Sequence, residues 1–397
     1  MKELHNSSSK DIPWKVADLF SGCGGMSYGF FSHPQYFKIV AAVDCERGKP
    51  GLTNGKPACI RCNTTYEMNI GVRPMNEDLS IYSPEEFMRT TGIEKGQLTV
   101  LIACAPCTGF SQKNAKNHLE DDPRNFLVEK SGEFVEALMP EFLVMENVKE
   151  LIKGKMSFHY DNLKRTLEGL GYTVKAEIHD FSEWGLPQRR IRALIVARRD
   201  GKPLPPFPEK TKEFVTVRDA ISDLTPLEAG QIDPADPMHR CPGHNAHSME
   251  RIRAIPHDGG SWADIPQEKS HLLIPRMQRA RAGSFPDIYG RLWWDRPAIT
   301  ITRECGHPGN GRYLHPEQDR MLSVREMAIL QGFPRTYMFE GPMSAKYNQI
   351  GDAVPPVISR KIAEYIASVK TDPTLDCTVI KNEPAQPSTK QSPLFKQ

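Results

Sequence analysis

Short apolar runs recur along the first half of the chain, separated by longer segments of mixed polarity. Four of them, residues 14–20, 37–43, 98–102 and 141–145, are each followed within four residues by Gly, Pro or an acidic residue. Apolar runs of this length are typical of strands buried on both faces of a parallel sheet. The pattern therefore predicts a series of buried strands, each ending in a turn.

Segments with helical spacing lie between and after these runs, and Asp161 is a suitable cap for one of them. The predicted helices are 127–139, 161–170 and 357–369, and two further strands are predicted at 172–179 and 191–197. Alternation of strands and helices predicts an α/β fold with a doubly wound, mostly parallel, Rossmann-like sheet.

A proline-rich stretch at residues 200–210, DGKPLPPFPEK, predicts a linker between two domains. The sequence that follows it is irregular and punctuated by Gly and Pro. Residues 1–12 are polar and are expected to be frayed, and the Pro-, Lys- and Ser-rich tail 371–397 is expected to be disordered.

Composition narrows the class of protein. A chain of 397 residues has room for one large and one smaller domain, and a formal net charge of +2 neither requires nor excludes nucleic acid. Nine cysteines without an apolar N-terminal segment favour free thiols in a reducing compartment. No run approaches the roughly 18 apolar residues that cross a bilayer. We therefore expect a soluble, intracellular protein with no membrane partner.

The apolar run 98–102 leads into a short segment that contains two cysteines, Cys104 and Cys107. Pro106 and Gly109 suit neither a strand nor a helix interior, so Cys107 is expected on a loop at the carboxyl end of a buried strand. Open α/β sheets bind ligands at that edge. Three interpretations of Cys107 are open: a packed cysteine, a thioredoxin-like C-x-x-C dithiol, or a lone nucleophile that adds to an electrophilic carbon.

A glycine-rich turn, Ser21 to Gly25, follows the first predicted strand, and Asp44 follows the second. Glycines at such a turn let a ligand approach the backbone closely. Asp44 lies 20 residues beyond Gly24, about the offset at which a carboxylate binds ribose hydroxyls in dinucleotide folds. The turn does not have the G-x-G-x-x-G spacing, which disfavours NAD. Together the two features predict a bound nucleoside.

Four motifs, in this order, resemble those of the DNA (cytosine-5)-methyltransferase family. They are Phe20 to Gly25, Pro106-Cys107 with Gly109-Phe110-Ser111, Glu146-Asn147-Val148, and Gln188-x-Arg190-x-Arg192. The resemblance covers residues 14–369 and is weakest between 200 and 295. It implies an enzyme that methylates cytosine at C5 in a specific double-stranded DNA sequence.

The chemistry of that reaction assigns roles to the motif residues. Cytosine C5 is a poor nucleophile, and a thiolate that adds to C6 makes it carbanion-like. The resemblance implies that Cys107 is this nucleophile and that Glu146 assists at N3. Arg190 and Arg192 are expected to hold the flanking phosphate and stabilise the charge that develops on the base. The target nucleotide must be flipped out of the duplex.

The methyl donor that the resemblance implies is S-adenosylmethionine, with no metal. The residues expected to bind it are Phe20, Ser21, Gly22, Gly24, Gly25, Asp44, Asp78 and Asp352. Asp78 matches an acid that the family places beside the adenine. Asp352 stands where the family usually has Asn, so its contact with the cofactor is the least secure of the set.

Double-stranded DNA is the implied partner. Arginines interleaved with aromatic residues after position 250 suit phosphate contact and insertion into a groove. The residues expected to contact DNA are Ser111, Gln188, Arg251, Arg253, Arg276, Arg279 and Arg281. The resemblance divides the chain into a catalytic and cofactor-binding domain, 13–199 plus 345–370, and a smaller target-recognition domain, 200–344.

The resemblance also implies a cytoplasmic monomer, associated with the nucleoid through DNA, from a prokaryote or a phage. A restriction-modification or epigenetic role follows, with a cognate restriction endonuclease that acts on the same site as a partner. A catalytically inactive DNA-binding protein of the same fold is an alternative, because the family's Gly-Gly-Pro-Pro-Cys-Gln is replaced here by residues 103–108, ACAPCT. RNA as the substrate is a further alternative.

Two groups of residues raise the question of zinc. One group consists of Cys45, Cys59 and Cys62 together with Cys104 and Cys107. The other consists of His239, Cys241, His244 and His247. Neither spacing matches a standard zinc site. We therefore expect no metal.

Overall fold

The structure is a computed structural model that describes residues 13–50, 57–106, 121–211, 213–279 and 285–371. The predicted nucleophile Cys107 lies outside the described residues, as do Ser111, Arg281 and the predicted tail beyond residue 371.

The described strands fall into one large sheet and two small ribbons. They are β1 (Trp14–Leu19), β2 (Phe37–Val43), β3 (Arg47–Pro50), β4 (Pro57–Cys59), β5 (Val100–Ala103), β6 (Phe142–Val148), β7 (Thr173–Asp180), β8 (Ile191–Arg198), β9 (Ile232–Asp233) and β10 (Asp236–Arg240). The large sheet has six strands in the order β2-β1-β5-β6-β8-β7. Strand β8 runs antiparallel to both of its neighbours, and the other pairs are parallel. The predicted α/β, mostly parallel, Rossmann-like sheet is confirmed.

The helices of the described residues vary from one turn to more than four. They are α1 (Gly25–Phe31), α2 (Cys62–Ile70), α3 (Pro84–Thr91), α4 (Leu127–Leu138), α5 (Glu150–Lys153), α6 (Phe158–Gly169), α7 (Val217–Ile221), α8 (Ala246–Arg253), α9 (Pro275–Gln278), α10 (Val324–Leu330), α11 (Met343–Asp352) and α12 (Pro356–Thr371). Short 3₁₀ helices cover Pro123–Phe126, Phe181–Trp184, Trp262–Asp264, Gln267–Leu272 and Pro308–Asn310. None of the described helices is long and apolar enough to span a membrane.

Helices cover both faces of the large sheet. On one face α1 and α12 pack so closely that a Cβ at Gly29 would lie 2.1 Å from the carbonyl carbon of Ser359. On the other face Phe134 of α4 packs in one apolar cluster with Leu163 of α6. Because both faces are covered, β5 and β6 are buried along their whole length. That burial explains the continuous apolar runs in their sequences.

Helix α6 begins three residues before the predicted start, with Ser157 at its N-cap and Asp161 in its first turn. The reason is a side-chain contact that the local sequence does not show. His159 Nδ1 lies 2.6 Å from Glu129 Oε1 of α4, and its Nε2 lies 3.0 Å from Asp121 Oδ2. These contacts stabilise an extra turn at the start of α6.

The chain between β8 and α11, called the second unit below, has few strands and long irregular segments. Irregular segments leave backbone carbonyls that need hydrogen-bond donors when they are buried. Arg291, which is fully buried, supplies several: its guanidinium donates to the carbonyl oxygens of Ile255 (3.1 Å), Ile252 (3.0 Å) and Gln318 (2.8 Å). Buried arginines therefore replace part of the hydrogen bonding that regular structure would give.

Candidate active site

The glycine-rich turn joins β1 to α1 through left-handed backbone. Phe20, Gly22 and Gly24 have φ angles of 63°, 51° and 93°. The turn closes on the rest of the protein with little space: a Cβ on Gly25 would lie 2.2 Å from the carbonyl oxygen of Val354. In contrast, no described heavy atom outside the adjacent chain lies within 4 Å of a Cβ built on Gly22. The turn is therefore packed at its helix end and open at Gly22.

Asp44 lies directly beside this turn, at the end of β2. Its carboxylate accepts hydrogen bonds from the backbone N–H of Gly22 (2.9 Å), the N–H of Glu46 (2.7 Å) and the thiol of Cys62 (3.4 Å). Burial raises the pKa of Asp44, and these donors oppose the increase. A carboxylate has about four lone-pair directions, so the three bonds leave capacity for one more donor.

Asp78 reaches the same edge of the sheet through the segment before it. The N–H of Asp44 donates to the Met75 carbonyl (3.0 Å), and the N–H of Met75 donates to the Ala42 carbonyl (2.9 Å). The residues that follow Met75 therefore leave beside Asp44. Asp78 Oδ1 accepts a hydrogen bond from the N–H of Ser80 (3.0 Å), which fixes the local turn.

Asp352, at the end of α11, lies near Cys23 of the turn and forms an ion pair with Arg303 of the second unit. Two residues of the adjoining chain contact the turn directly, since Cys23 Sγ donates to the Gln349 carbonyl (3.4 Å) and Gly25 packs on Val354. The acid that replaces the family's usual Asn thus has a compensating cation from the second unit.

A buried carboxyl group that the sequence did not single out lies under the turn. Asp18 of β1 accepts a hydrogen bond from the Ser27 hydroxyl (2.5 Å), which accepts one from the Tyr66 hydroxyl (2.7 Å). Burial raises the pKa of Asp18 to about 8, Ser27 lowers it in part, and the nearby Asp44 carboxylate adds to the increase. The sequence did contain a signal for this buried carboxyl group, because Asp18 is an acidic residue within an apolar run that predicts a strand.

Glu146 lies near the carboxyl end of β6, with only 7 % of its surface exposed. Its Oε1 lies 3.2 Å from Nε of Arg192, which follows on the neighbouring strand β8. The pairing of β6 with β8 places Glu146 opposite Leu194 and Val148 opposite Arg192. The carboxylate and the guanidinium are therefore held together by two adjacent strands.

The residues that follow β5 are hydrogen-bonded to the carboxyl end of β6, where Glu146 lies. The side-chain amide of Asn147 donates to the Ala105 carbonyl (3.0 Å), and the backbone N–H of Glu146 donates to Cys104 Sγ (3.4 Å). The chain therefore enters the segment that begins with Cys107 at the sheet edge where Glu146 lies. Burial and the carboxylates of Glu146 and Asp18 raise the pKa of Cys104 well above its usual value. A thioredoxin-like dithiol needs a low-pKa thiolate, so Cys104 does not fit that interpretation.

Gln188, Arg190 and Arg192 do not share one environment. Arg192 is partly exposed beside Glu146, whereas Gln188 is fully buried and Arg190 has 3 % of its surface exposed. Both buried side chains bond to protein atoms at the boundary between the sheet and the second unit. In this arrangement neither presents its side chain at a surface that DNA could reach, although both were expected to act on nucleic acid.

The arginines expected to contact DNA are also divided. Arg253 and Arg279 are exposed. Arg251 is buried: its guanidinium donates to the Leu272 carbonyl and to the Tyr289 hydroxyl (3.2 Å). The side chain of Arg276 and all of Arg281 lie outside the described residues. Arg253 and Arg279 are thus the members of this group that the structure places where a phosphate could reach them.

His239 and Cys241, two of the residues considered for zinc, have other partners. Within the described part of the chain, no three or more His, Cys, Asp or Glu side chains are grouped to hold a metal ion. His239 contacts Ser323 Oγ (2.8 Å) and the Thr225 carbonyl (2.7 Å), and Cys241 Sγ donates to the Glu228 carbonyl (3.0 Å). Each of these side chains stabilises the second unit.

The sheet, the glycine-rich turn with its strand-end acid, and the paired Glu146 and Arg192 define a Rossmann-like methyltransferase. A family model for C-5 cytosine-specific DNA methylases matches residues 14–368. The chain therefore belongs to this family and is a DNA (cytosine-5)-methyltransferase.

Similar proteins span nearly the whole chain. It is 33 % identical over 359 residues to the type II methylase M.HgiDII of Herpetosiphon aurantiacus, covering 88 % of this chain and 94 % of the relative. It is 31 % identical over 358 residues to the type II methyltransferase M1.HphI of Haemophilus parahaemolyticus, covering 89 % and 87 %.

Solved structures agree with the fold. A DNA modification methyltransferase encoded within an E. coli prophage matches with a TM-score of 0.67 at 20 % identity, covering 90 % of this chain and 100 % of that one. Dnmt2 of S. pombe matches with a TM-score of 0.57 at 17 % identity, covering 90 % and 99 %. At these identities the likeness is one of fold.

Proposed function

We propose that this protein transfers a methyl group from S-adenosylmethionine to C5 of a cytosine in a specific double-stranded DNA sequence. The reaction runs through a covalent adduct between Cys107 and C6, with the target base flipped out of the duplex. The arrangement of Glu146 with Arg192, beside the point where the chain leads to Cys107, carries this proposal. It combines a buried carboxylate and a cation at the sheet edge from which the described chain continues toward Cys107.

The residues around the glycine-rich turn fit the proposed cofactor. Ser21 Oγ is buried and has no hydrogen-bond partner among the described residues, so it can form a hydrogen bond with a polar group of a ligand. Asp44 has capacity for a ribose hydroxyl, and Gly22 borders open space. We assign the nucleoside to Phe20, Ser21, Gly22, Asp44 and Asp78. We also assign Gly24, Gly25 and Asp352 to the cofactor site, because the segment that follows Asp352 packs on Gly25.

Bound there, S-adenosylmethionine would supply an electrophilic methyl group. The Cys107 thiolate forms a bond to C6, and the electrons of the C5–C6 double bond move toward C5. The Glu146 carboxyl group, in its protonated form, donates a hydrogen bond to N3 while negative charge accumulates on the ring, and Arg192 holds Glu146 in place. C5 would then take the methyl group, with S-adenosylhomocysteine as the leaving group. A base then removes the C5 proton, the double bond forms again, and the Cys107–C6 bond breaks.

The second unit would supply DNA recognition. We assign residues 13–199 with 345–370 to catalysis and cofactor binding, and 200–344 to target recognition. Flipping the nucleotide costs a few kcal/mol in lost pairing and stacking, so groups elsewhere must bind the duplex. The exposed Arg253 and Arg279 are suited to phosphate contacts, which provide most of the sequence-independent affinity.

The names of the bacterial relatives support a biological setting. M.HgiDII and M1.HphI are both called type II enzymes. We propose that this protein acts in a prokaryotic restriction-modification system, protecting DNA from a cognate endonuclease that cuts the same sequence.

The test is direct. Purified protein is incubated with unmethylated duplex DNA and methyl-labelled S-adenosylmethionine, and the DNA is digested to nucleosides for mass spectrometry. We expect labelled 5-methylcytosine from the wild type and none from Cys107→Ala. Equal labelling with Cys107→Ala would overturn the mechanism. DNA binding without any labelled cytosine would support the inactive DNA-binding alternative, and labelling confined to an added RNA would identify RNA as the substrate.

A further inference from the structure

Gln188 and Arg190 lie where three parts of the chain meet: the start of β8, the segment around Ile301 in the second unit, and the segment around Ala353 next to the cofactor turn. We propose that these two residues are positioning residues of an interdomain junction and do not bind DNA. The junction is defined as Gln188, Arg190, Ile301, Gln331 and Ala353. The inference rests on the proposed function and deepens it.

Every polar atom of the Gln188 side chain is engaged within the protein. Its Nε2 donates to Gln331 Oε1 (2.7 Å) and to the Leu330 carbonyl (3.1 Å), and its Oε1 accepts from the N–H of Ile301 (2.9 Å). A DNA contact by Gln188 would leave some of these buried groups without partners, at a cost of about 1–3 kcal/mol each.

Arg190 spans the junction with its planar guanidinium. Its Nη1 donates to the Ile301 carbonyl (3.0 Å) and its Nη2 donates to the Ala353 carbonyl (3.3 Å). The Ala353 carbonyl also accepts a hydrogen bond from Gln331 Nε2 (2.8 Å). One arginine therefore connects the second unit with the segment that closes the cofactor turn.

The backbone strengthens the same boundary. The N–H of Arg189 donates to the Ala298 carbonyl (2.8 Å), and the N–H of Ala298 donates to the Pro187 carbonyl (2.9 Å). Residues 187–190 and 298–301 thus run together as a short ladder. Arg190 is the side chain that extends this ladder to Ala353.

The junction touches both halves of the active site. Val354, next to Ala353, packs on Gly25 of the cofactor turn. Arg192 lies two residues beyond Arg190 and pairs with Glu146. A shift of Arg190 would therefore move the cofactor wall relative to the carboxylate that assists the base. Misplacement of a reacting group by about 1 Å can lower the rate 100-fold. The role of the junction is therefore to align the cofactor turn with Glu146.

A salt titration separates this role from a phosphate contact. Affinity for a 30-base-pair duplex of mixed sequence is measured by fluorescence anisotropy over a range of salt concentrations. An arginine that neutralises a phosphate contributes about 0.9 to the slope of log affinity against log salt. We expect Arg190→Gln to leave the slope unchanged, to lower kcat at least tenfold, and to raise the KM for S-adenosylmethionine several-fold.

Two further variants make the result specific. Lys lacks the planar fork with which the two terminal nitrogens of Arg190 reach the Ile301 and Ala353 carbonyls, so Arg190→Lys should remain impaired, whereas a phosphate contact would be rescued by the retained charge. Gln331→Met, a change at a residue never expected to contact DNA, should reproduce the fall in kcat and rise in KM with an unchanged slope. It also keeps the test open if Arg190 variants fail to fold. Arg89→Gln, at an exposed arginine of α3, is the matched control and should change nothing.

A slope that falls by about 0.9 in Arg190→Gln, with recovery in Arg190→Lys and no effect of Gln331→Met, would overturn the inference. The binding measurement needs no methyl transfer. A wild type that binds DNA but does not methylate it would therefore contradict the proposed function while the slopes still decide the role of Arg190.

Discussion

The buried carboxyl group of Asp18 is expected to make the stability of the fold depend on pH, and the size of this effect follows from its surroundings. It is buried in β1 beneath the cofactor turn, and burial raises its pKa from 3.8 to about 8. A carboxyl group with a raised pKa in the folded state stabilises the fold fully below its unfolded pKa, and that contribution is lost as the pH rises through the folded pKa. Asn has nearly the same shape, stays neutral, and can still accept the hydrogen bond from Ser27.

The magnitude comes from the two pKa values. The difference between 3.8 and about 8 corresponds to roughly 6 kcal/mol over the whole titration. Between pH 6 and pH 9 the linkage relation gives a loss of about 3 kcal/mol for the wild type that Asp18→Asn should not share. Other titrating groups cancel in the comparison, because they are present in both proteins.

The assay is urea unfolding of the wild type and Asp18→Asn at intervals from pH 5 to pH 9. We expect the stability of Asp18→Asn relative to the wild type to rise with pH by about 3 kcal/mol from pH 6 to pH 9. Two curves that run parallel within 0.5 kcal/mol over this range, on the order of the error of such extrapolations, would refute the reasoning, since Asp18 would then titrate alike in both states.

Three further predictions concern the second unit, the cofactor turn and the base. Burial raises the pKa of Glu326, but hydrogen bonds from the fully buried Arg320 outweigh burial and lower the pKa to about 2. Glu326→Gln should lower the free energy of unfolding in urea by about 3–5 kcal/mol at pH 7. This loss should become smaller as the pH falls from 4.5 toward 2. Cys62→Ala removes a donor to Asp44 worth about 1 kcal/mol, so calorimetry should show about fivefold weaker binding of S-adenosylmethionine. Glu146→Gln should lower the single-turnover rate about 10²–10⁴-fold without weakening that binding.

Variants of the same protein provide controls for these predictions. Glu317→Gln, at an exposed residue near Glu326 in sequence, should leave stability within about 0.5 kcal/mol. Cys62→Ser keeps a donor and should bind the cofactor better than Cys62→Ala. An unchanged affinity in Cys62→Ala, or full activity in Glu146→Gln, would contradict the roles given to these residues.

The sequence was most informative where local pattern decides structure. The apolar runs predicted the sheet because β5 and β6 are covered on both faces. Asp44 accepts a hydrogen bond from Gly22 of the turn, and the nucleoside inferred from the offset between Gly24 and Asp44 stays a prediction. Strand β5 begins at Val100, two residues later than the run suggested.

Other features depend on contacts between distant parts of the chain. The burial of Arg190 requires Ile301 and Ala353, more than 100 residues away, so a pattern of alternating arginines could not separate it from Arg192. The same holds for Arg251, whose partners Leu272 and Tyr289 lie in irregular segments. Basic residues in a region without regular structure predict a nucleic-acid surface, yet here some of them satisfy buried carbonyls.

The central claim is that Cys107 adds to C6 of an extruded cytosine beside Glu146. It is tested by mixing the protein with S-adenosylmethionine and duplex DNA that carries 5-fluorocytosine, from which the final proton cannot leave. We predict a denaturation-resistant protein–DNA complex with one methyl group transferred, and a peptide map that places the bond on Cys107. Wild-type protein that methylates ordinary DNA but forms no such complex, or forms it equally as Cys107→Ala, would contradict the account.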